Sequence, residues 1–418
     1  MEVIILAGGL GTRLRSVVTD VPKCMAPVAG KPFLGWLLEW LARFPVTRVV
    51  LSVGYKREVI QEYVDARDWP FQTDYAVEET PLGTGGGIRL ALSHCTEDRV
   101  FVLNGDTFFN ADLERLVFSA PVTVALKPMR DFDRYGAVTV QRSTAGPTAS
   151  ENYFSGRYPK NQFPEAFTDL TFQITAFREK APCREGLING GVYAIDRSRL
   201  NLSALPEKFS FEKEVLEPMA LKGEVAGQVS DGYFIDIGIP EDYARAQREI
   251  PEFQAVLKAS DAVLKADADT LFLDRDGVIN RWLPGDYVKD WSQFEFLPGI
   301  RECLQRWALK YARIVLVTNQ RGVGRGLMTD ENLADIHARM MEEILRAGGR
   351  IDLLLVCTAA EDQDPRRKPN TGMFQEACAL FPAIHPGRSV MVGDSEKDAL
   401  FASRCGMDFI LLTPEEVS

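Results

Sequence analysis

Apolar residues in this chain come in short runs separated by longer amphipathic segments, and that alternation sets the expected fold. Val3-Ile4-Ile5-Leu6 is an uninterrupted apolar run of the kind found in strands buried on both faces. Residues 33–44 (FLGWLLEWLARF) read as a strongly apolar helix, 48–53 as the next strand and 58–64 as the start of another helix. Residues 99–103 form a further strand. This βαβ rhythm predicts an α/β architecture, with a mostly parallel sheet covered by helices on both faces. Residues 240–250 read as a closing helix, 252–264 as a second helix, and 265–269 (KADAD) as a polar joint. The pattern then restarts, with strands at 270–273, 314–317 and 390–392. The expected organisation is a domain over 1–250, a helical linker over 251–268 and a domain over 269–418, with the boundary near 266.

Composition narrows the class without changing that outline. A chain of 418 residues with 46% hydrophobic positions can fill more than one core. Its net charge of −11 argues against nucleic-acid or anionic-membrane partners, so any phosphate affinity must be local. Seven irregularly spaced cysteines read as reduced thiols. No run approaches membrane-spanning length, and the first residues form a strand where a secretory signal would have a charged and then an apolar region. The expectation is a cytoplasmic protein.

The first strand empties at Leu6 into a glycine loop, Gly8-Gly9-Leu10-Gly11-Thr12-Arg13. Without Cβ atoms the backbone amides can face phosphate oxygens. Arg13 and Lys23 add positive charge, as an anionic polyphosphate requires. A P-loop is excluded because Gly30-Lys31 is followed by Pro32, and the spacing of a dinucleotide fingerprint is absent. A second glycine loop, Pro81 to Gly87 (PLGTGGG), contains Gly83 and Thr84. Asp106 and Asp236 each follow a short apolar strand. Two aspartates with phosphate oxygens suffice for magnesium, although an aspartate after a strand is also an ordinary cap or turn residue.

The ordered run GGLGTRL…PKCMAPVAGKP resembles the sugar-phosphate nucleotidyltransferases, most narrowly the heptose 1-phosphate guanylyltransferases. The resemblance implies a Rossmann-like domain whose nucleotide-binding residues are Leu6, Gly8, Gly9, Gly11, Thr12, Arg13, Lys23, Gly83, Thr84 and Asp106. It implies magnesium on Asp106 and Asp236, with Arg13 and Lys23 stabilising charge during transfer. Gly136, Glu179, Lys180 and Asn189 match its sugar-phosphate segments. One departure is the stretch 141–172, rich in Ser, Thr, Asn, Phe and Pro, which reads as an inserted loop near the sugar pocket.

In the second region, Asp274-Arg275-Asp276-Gly277 follows its strand directly. Paired carboxylates there suit phosphoryl transfer, with Asp274 attacking phosphorus and Asp276 handling the proton. Thr318, Arg367-Lys368 and Asp394 follow in order. This set resembles the haloacid-dehalogenase phosphatases. DRDGVIN with TNQRGVGRG points toward their histidinol-phosphate and heptose-bisphosphate members. The resemblance implies a second Rossmann-like domain without a large cap. Magnesium would lie on Asp274, the Asp276 carbonyl and Asp394, the phosphoryl group on Thr318 and Lys368, and further substrate contacts on Arg325 and Arg367. Relatives commonly carry a CxH…CxC zinc loop where this chain has Cys357, Asp362 and Asp364. One thiol cannot supply four N/S donors, so no zinc is expected.

Together the resemblances imply a bifunctional enzyme that uses GTP, heptose 1-phosphate and heptose 1,7-bisphosphate. It would act downstream of a separate heptose 7-phosphate kinase, with homo-oligomerisation allowed. The same residues also suit another hexose or another base. A further alternative is an inert nucleotide-sugar-sensing first domain that regulates the phosphatase.

Overall fold

The computed structural model describes residues 1–9, 14, 17–18, 20–142 and 171–413. The chain divides into two compact units, Met1–Gln247 and Arg248–Ser418.

The first unit contains β1 (Glu2–Leu6), β2 (Pro27–Val28), β3 (Lys31–Pro32), β4 (Arg48–Val53), β5 (Gln72–Val77), β6 (Arg99–Asn104) and β7 (Thr107–Phe109). It continues through β8 (Val122–Phe132), β9 (Gly136–Arg142), β10 (Thr171–Lys180), β11 (Cys183–Asp196), β12 (Val225–Val229) and β13 (Phe234–Asp236). Nine of these make one sheet in the order β5-β4-β1-β6-β11-β8-β12-β10-β9. The half carrying the first glycine loop, β5-β4-β1-β6, is parallel. Beyond β6 most pairings are antiparallel: β11 runs antiparallel to both β6 and β8, and β10 runs antiparallel to β9. The sheet is therefore mixed, and its parallel character is concentrated at β1. Ile4, Val50, Val102, Val124 and Ile195 are fully buried and belong to one apolar core.

The two helices expected over 240–264 are a single helix, Pro240–Lys265, that continues through Pro251. Proline removes one backbone donor and commonly breaks a helix. Here Ile250, Phe253, Val256 and Val263 are all fully buried, and their apolar packing outweighs the lost bond. The expected linker is thus built into the second unit, where Val256, Ala259 and Val263 join the core around Trp307. The division between the units falls inside this helix, after Gln247.

The second unit has a five-stranded parallel sheet with β14 (Thr270–Leu273) at its centre. Its other strands are β15 (Arg313–Asn319), β16 (Leu353–Cys357), β17 (Ser389–Gly393) and β18 (Asp408–Leu411), in the order β16-β15-β14-β17-β18. Leu271, Phe272 and Leu273 are fully buried, as a central strand covered on both faces requires. Among the described residues, no helix is long and apolar enough to cross a membrane.

Candidate active sites

In the first unit, Leu6 ends β1, and the chain passes through Gly8 and Gly9 beside the end of β4. A Cβ on Gly8 would lie 2.8 Å from Glu78 Oε1, whereas Gly9 faces open space. Gly11, Thr12 and Arg13 lie outside the described residues. Lys23 follows in a single turn of 3-10 helix, Lys23–Met25, whose Cys24 and Met25 are buried. Its ammonium reaches Asp106 Oδ2 at 2.5 Å and Asp236 Oδ1 at 3.5 Å. Those aspartates are brought together by antiparallel pairing of β7 with β13, which sets Asp236 opposite Thr107. The Gly238 amide donates to Asp236 Oδ1 at 2.7 Å. A Cβ on Gly238 would crowd both Asp236 and the Lys23 ammonium. Burial, then the Asp106 charge, pushes the Asp236 carboxyl above its ordinary range, and Lys23 opposes them.

The other residues expected at this site are placed less centrally. Gly83, at φ +73°, opens the helix Gly83–Leu92 against the Phe209 carbonyl. The Thr84 hydroxyl donates to Glu212 at 2.8 Å and accepts from the Phe211 amide at 2.9 Å, so its hydrogen bonds hold this helix to the 209–212 segment. Gly136 pairs with Lys180 where β9 meets β10, and a Cβ there would strike the Arg178 carbonyl at 2.3 Å. Glu179 and Lys180 are exposed at the end of β10. Asn189 uses its amide on the Tyr193 hydroxyl and the Gly191 N–H. The 143–170 part of the expected insertion lies outside the described residues.

In the second unit, the ends of three neighbouring parallel strands deliver Asp274, Thr318 and Asp394 to one edge of the sheet. The Lys368 ammonium contacts Asp274 Oδ1 at 2.8 Å and Asp398 Oδ1 at 2.6 Å. Its backbone is fixed by a reciprocal pair: the Lys368 amide donates to Asn319 Oδ1, and Asn319 Nδ2 donates to the Lys368 carbonyl, each at 3.0 Å. Asp274, Asp394 and Asp398 offer ligand atoms within 4.8 Å of one another. Burial raises the Asp274 carboxyl despite Lys368, and burial with the Asp398 charge pushes Asp394 up to about 7. Burial would depress the Lys368 ammonium, but Asp274 and Asp398 hold it above its ordinary value. Three carboxylates thus share one ammonium, and the unbalanced negative charge is what a divalent cation fits. Gly277, at φ +84°, is required here because a Cβ would lie 1.9 Å from Asp394 Oδ2.

Asp276 is separate from that cluster. Burial opposes its ionisation, yet Arg275, Asn280 and Gln320 hold its carboxyl below the usual range. Thr318 is fully buried and accepts from Gln320 Nε2 at 2.8 Å. Arg325 is exposed, with Nη1 3.4 Å from the Tyr287 hydroxyl. Arg367 is buried and donates to Asp362 and to the Ala359 carbonyl. Arg321 also pairs with Asp362, so an Arg-Asp-Arg clip organises the loop in which no zinc is expected. The Cys357 thiol there lies 3.7 Å from Asp364 Oδ1. Asp398 stands four residues after Asp394 in the sequence, and nothing in that spacing marks it as a Lys368 partner.

Residues 2–252 match the nucleotidyl transferase family, and residues 365–416 match the HAD-hydrolase-like family. The chain belongs to the nucleotidyl transferase family and carries a haloacid-dehalogenase-like hydrolase as its second unit. A D-glycero-alpha-D-manno-heptose 1-phosphate guanylyltransferase of Aneurinibacillus thermoaerophilus is 42% identical over 258 residues, 60% of this chain and 100% of that relative. Its counterpart in Campylobacter jejuni is 42% identical over 244 residues, 58% of this chain and 97% of the relative. A D-glycero-alpha-D-manno-heptose-1,7-bisphosphate 7-phosphatase of Mycobacterium tuberculosis is 43% identical over 129 residues, 31% of this chain and 68% of the relative. This nucleotidyl transferase is therefore a bifunctional enzyme, with nucleotidyl transfer in one unit and phosphate-ester hydrolysis in the other.

Proposed function

We propose that the two units catalyse consecutive steps toward GDP-heptose. The carrying observation is that the relatives of the two units act on linked compounds. Removal of the 7-phosphate from D-glycero-D-manno-heptose 1,7-bisphosphate leaves the heptose 1-phosphate that the guanylyltransferase consumes.

In the second unit, Asp274 attacks phosphorus as its bond to the sugar oxygen breaks, and Asp276 gives that oxygen a proton. Asp276 then takes a proton from water as the water oxygen displaces Asp274 from phosphorus, releasing inorganic phosphate. Lys368 steadies the nucleophile and, with Thr318, binds the phosphoryl oxygens. Arg325 and Arg367 serve the remainder of the substrate. In the first unit, a phosphate oxygen of heptose 1-phosphate attacks the α-phosphorus of GTP in line, and pyrophosphate leaves. No protein nucleophile is needed, so Arg13, Lys23 and the amides at Gly8, Gly9 and Gly11 position the nucleotide and stabilise charge. Glu179, Lys180 and Asn189 face the sugar phosphate in this reading.

Magnesium, when bound, would screen phosphate charge at both centres. Asp106 and Asp236 would hold it in the first, and Asp274, Asp394 and the Asp276 carbonyl in the second. The Lys23 ammonium between two carboxylates and the excess negative charge around Lys368 support that reading. The Arg-Asp-Arg clip supports a phosphatase that works without zinc. The working place is the cytoplasm, with small-molecule substrates, neither nucleic acid nor membrane as partner, and a separate kinase supplying the bisphosphate.

The test is an endpoint assay with heptose 1,7-bisphosphate, GTP and magnesium. Phosphate, pyrophosphate and GDP-heptose should all appear. Phosphate without pyrophosphate would refute the proposed transfer, and absence of all three would refute heptose as the sugar.

A further inference from the structure

We infer that His337 is a positioning residue for the phosphatase step, holding the buried Arg275 guanidinium in the orientation that clamps Asp276. This rests on the phosphatase reading above.

His337 lies on the buried face of the helix Asp330–Arg346, and its Nε2 is 3.1 Å from Arg275 Nη1. A guanidinium only donates, so Nε2 must be the unprotonated ring nitrogen that accepts. The surroundings favour that neutral ring: burial, then the Arg275 charge, brings its pKa down to about 4. Arg275 is among the largest fully buried side chains. With Nη1 committed to His337, its other edge meets Asp276. Nη2 lies 2.9 Å from Oδ1 and 3.0 Å from Oδ2, and Nε lies 3.3 Å from Oδ1. Asn280 Nδ2 donates to Oδ1 at 2.9 Å, and Gln320 Nε2 donates to Oδ2 at 2.8 Å.

These donors fix the plane of the carboxyl group and the direction in which each of its oxygens faces. The place from which Asp276 delivers its proton is therefore fixed by a guanidinium that His337 fixes in turn. Without an acceptor at His337, a fully buried N–H loses its partner, which costs more than the bond is worth and favours rotation of the guanidinium.

The consequence is confined to proton delivery. When the P–O bond of a sugar phosphate breaks, the electron pair goes to an alkoxide oxygen that needs the Asp276 proton. When p-nitrophenyl phosphate is the substrate, the same bond breaks to a phenolate that is stable without one. The full chain, His337→Leu and His337→Gln are to be compared on heptose 1,7-bisphosphate and on p-nitrophenyl phosphate with magnesium. His337→Leu should lower kcat on the sugar phosphate by about 10- to 100-fold, part of the roughly 10²- to 10⁴-fold that a general acid contributes, and on the aryl phosphate by less than about threefold. His337→Gln, which returns an acceptor near the Nε2 position, should recover most of the loss. Equal losses on both substrates, no recovery by glutamine, or no loss on either would overturn the inference. Hydrolysis of neither substrate by the unaltered chain would remove the phosphatase reading and the inference with it.

Discussion

The two centres share an edge-of-sheet location but are finished to different degrees. Around Lys368, the side chains of Asp398, Thr318 and Gln320 are almost wholly buried; Asp398 pairs with Lys368, and Gln320 donates to Thr318 and Asp276. Around Lys23 the sheet is just as buried, yet Asp106 keeps 38% of its side chain exposed, and Glu179 and Lys180 stand in solvent. The proposed chemistry accounts for the difference. A covalent phosphoryl intermediate needs a nucleophile, an acid and charge partners fixed in a dry pocket before the substrate arrives. Direct transfer between two bound phosphates needs no protein nucleophile, and its large substrates complete the electrostatics themselves.

The sharpest way to break that comparison is Asp274→Asn. Phosphate release should fall by at least about 10³-fold, because a nucleophile is lost, while pyrophosphate release from GTP and heptose 1-phosphate stays unchanged. Loss of both activities in a folded protein would mean the centres are not separate. The converse substitutions, Lys23→Ala and Asp106→Ala, should cut GDP-heptose formation by about 10²- to 10³-fold and leave phosphatase activity intact. Thermal unfolding of Asp398→Ala probes how far the second centre is prebuilt. Lys368 would lose a buried partner, and the second unit should be destabilised by about 3 kcal/mol.

A smaller effect should appear with pH. His337 has a folded pKa of about 4 against an ordinary 6.5, so the unfolded chain binds the proton more readily. Its contribution is fully present above pH 6.5 and is lost as pH falls through about 4, on the order of 3 kcal/mol at most. His337→Gln should flatten that part of the stability profile in a thermal-melt series. The smallest expected change is none: a zinc-selective chelator, with magnesium supplied, should leave phosphatase rates unaltered.

Several of these residues are legible in the sequence alone. Asp274, Thr318 and Asp394 were readable because each ends an apolar run, and parallel strands with crossover connections bring such ends to one edge. The glycine loop after β1 was readable for the same reason. Pro251 misled because a local backbone rule competes with apolar packing on both of its sides. Thr84, expected in a glycine loop, lies in the first turn of the helix Gly83–Leu92, and its fixation on Glu212 depends on a segment far along the chain.

The sequence by itself therefore determined the two α/β units, the placement of the strand-end carboxylates, and the residue types each chemistry requires. Those follow from periodicity and from local backbone constraints, which act over a few residues. Only the tertiary structure decided which distant groups meet. The pairing of β7 with β13 puts Asp106 and Asp236 on Lys23, and the helix Asp330–Arg346 carries His337 to Arg275. It also decided that Asp362 ties Arg321 to Arg367. No spacing rule encodes such contacts, because they are set by how buried faces pack and by the need to partner every charge that packing takes out of water.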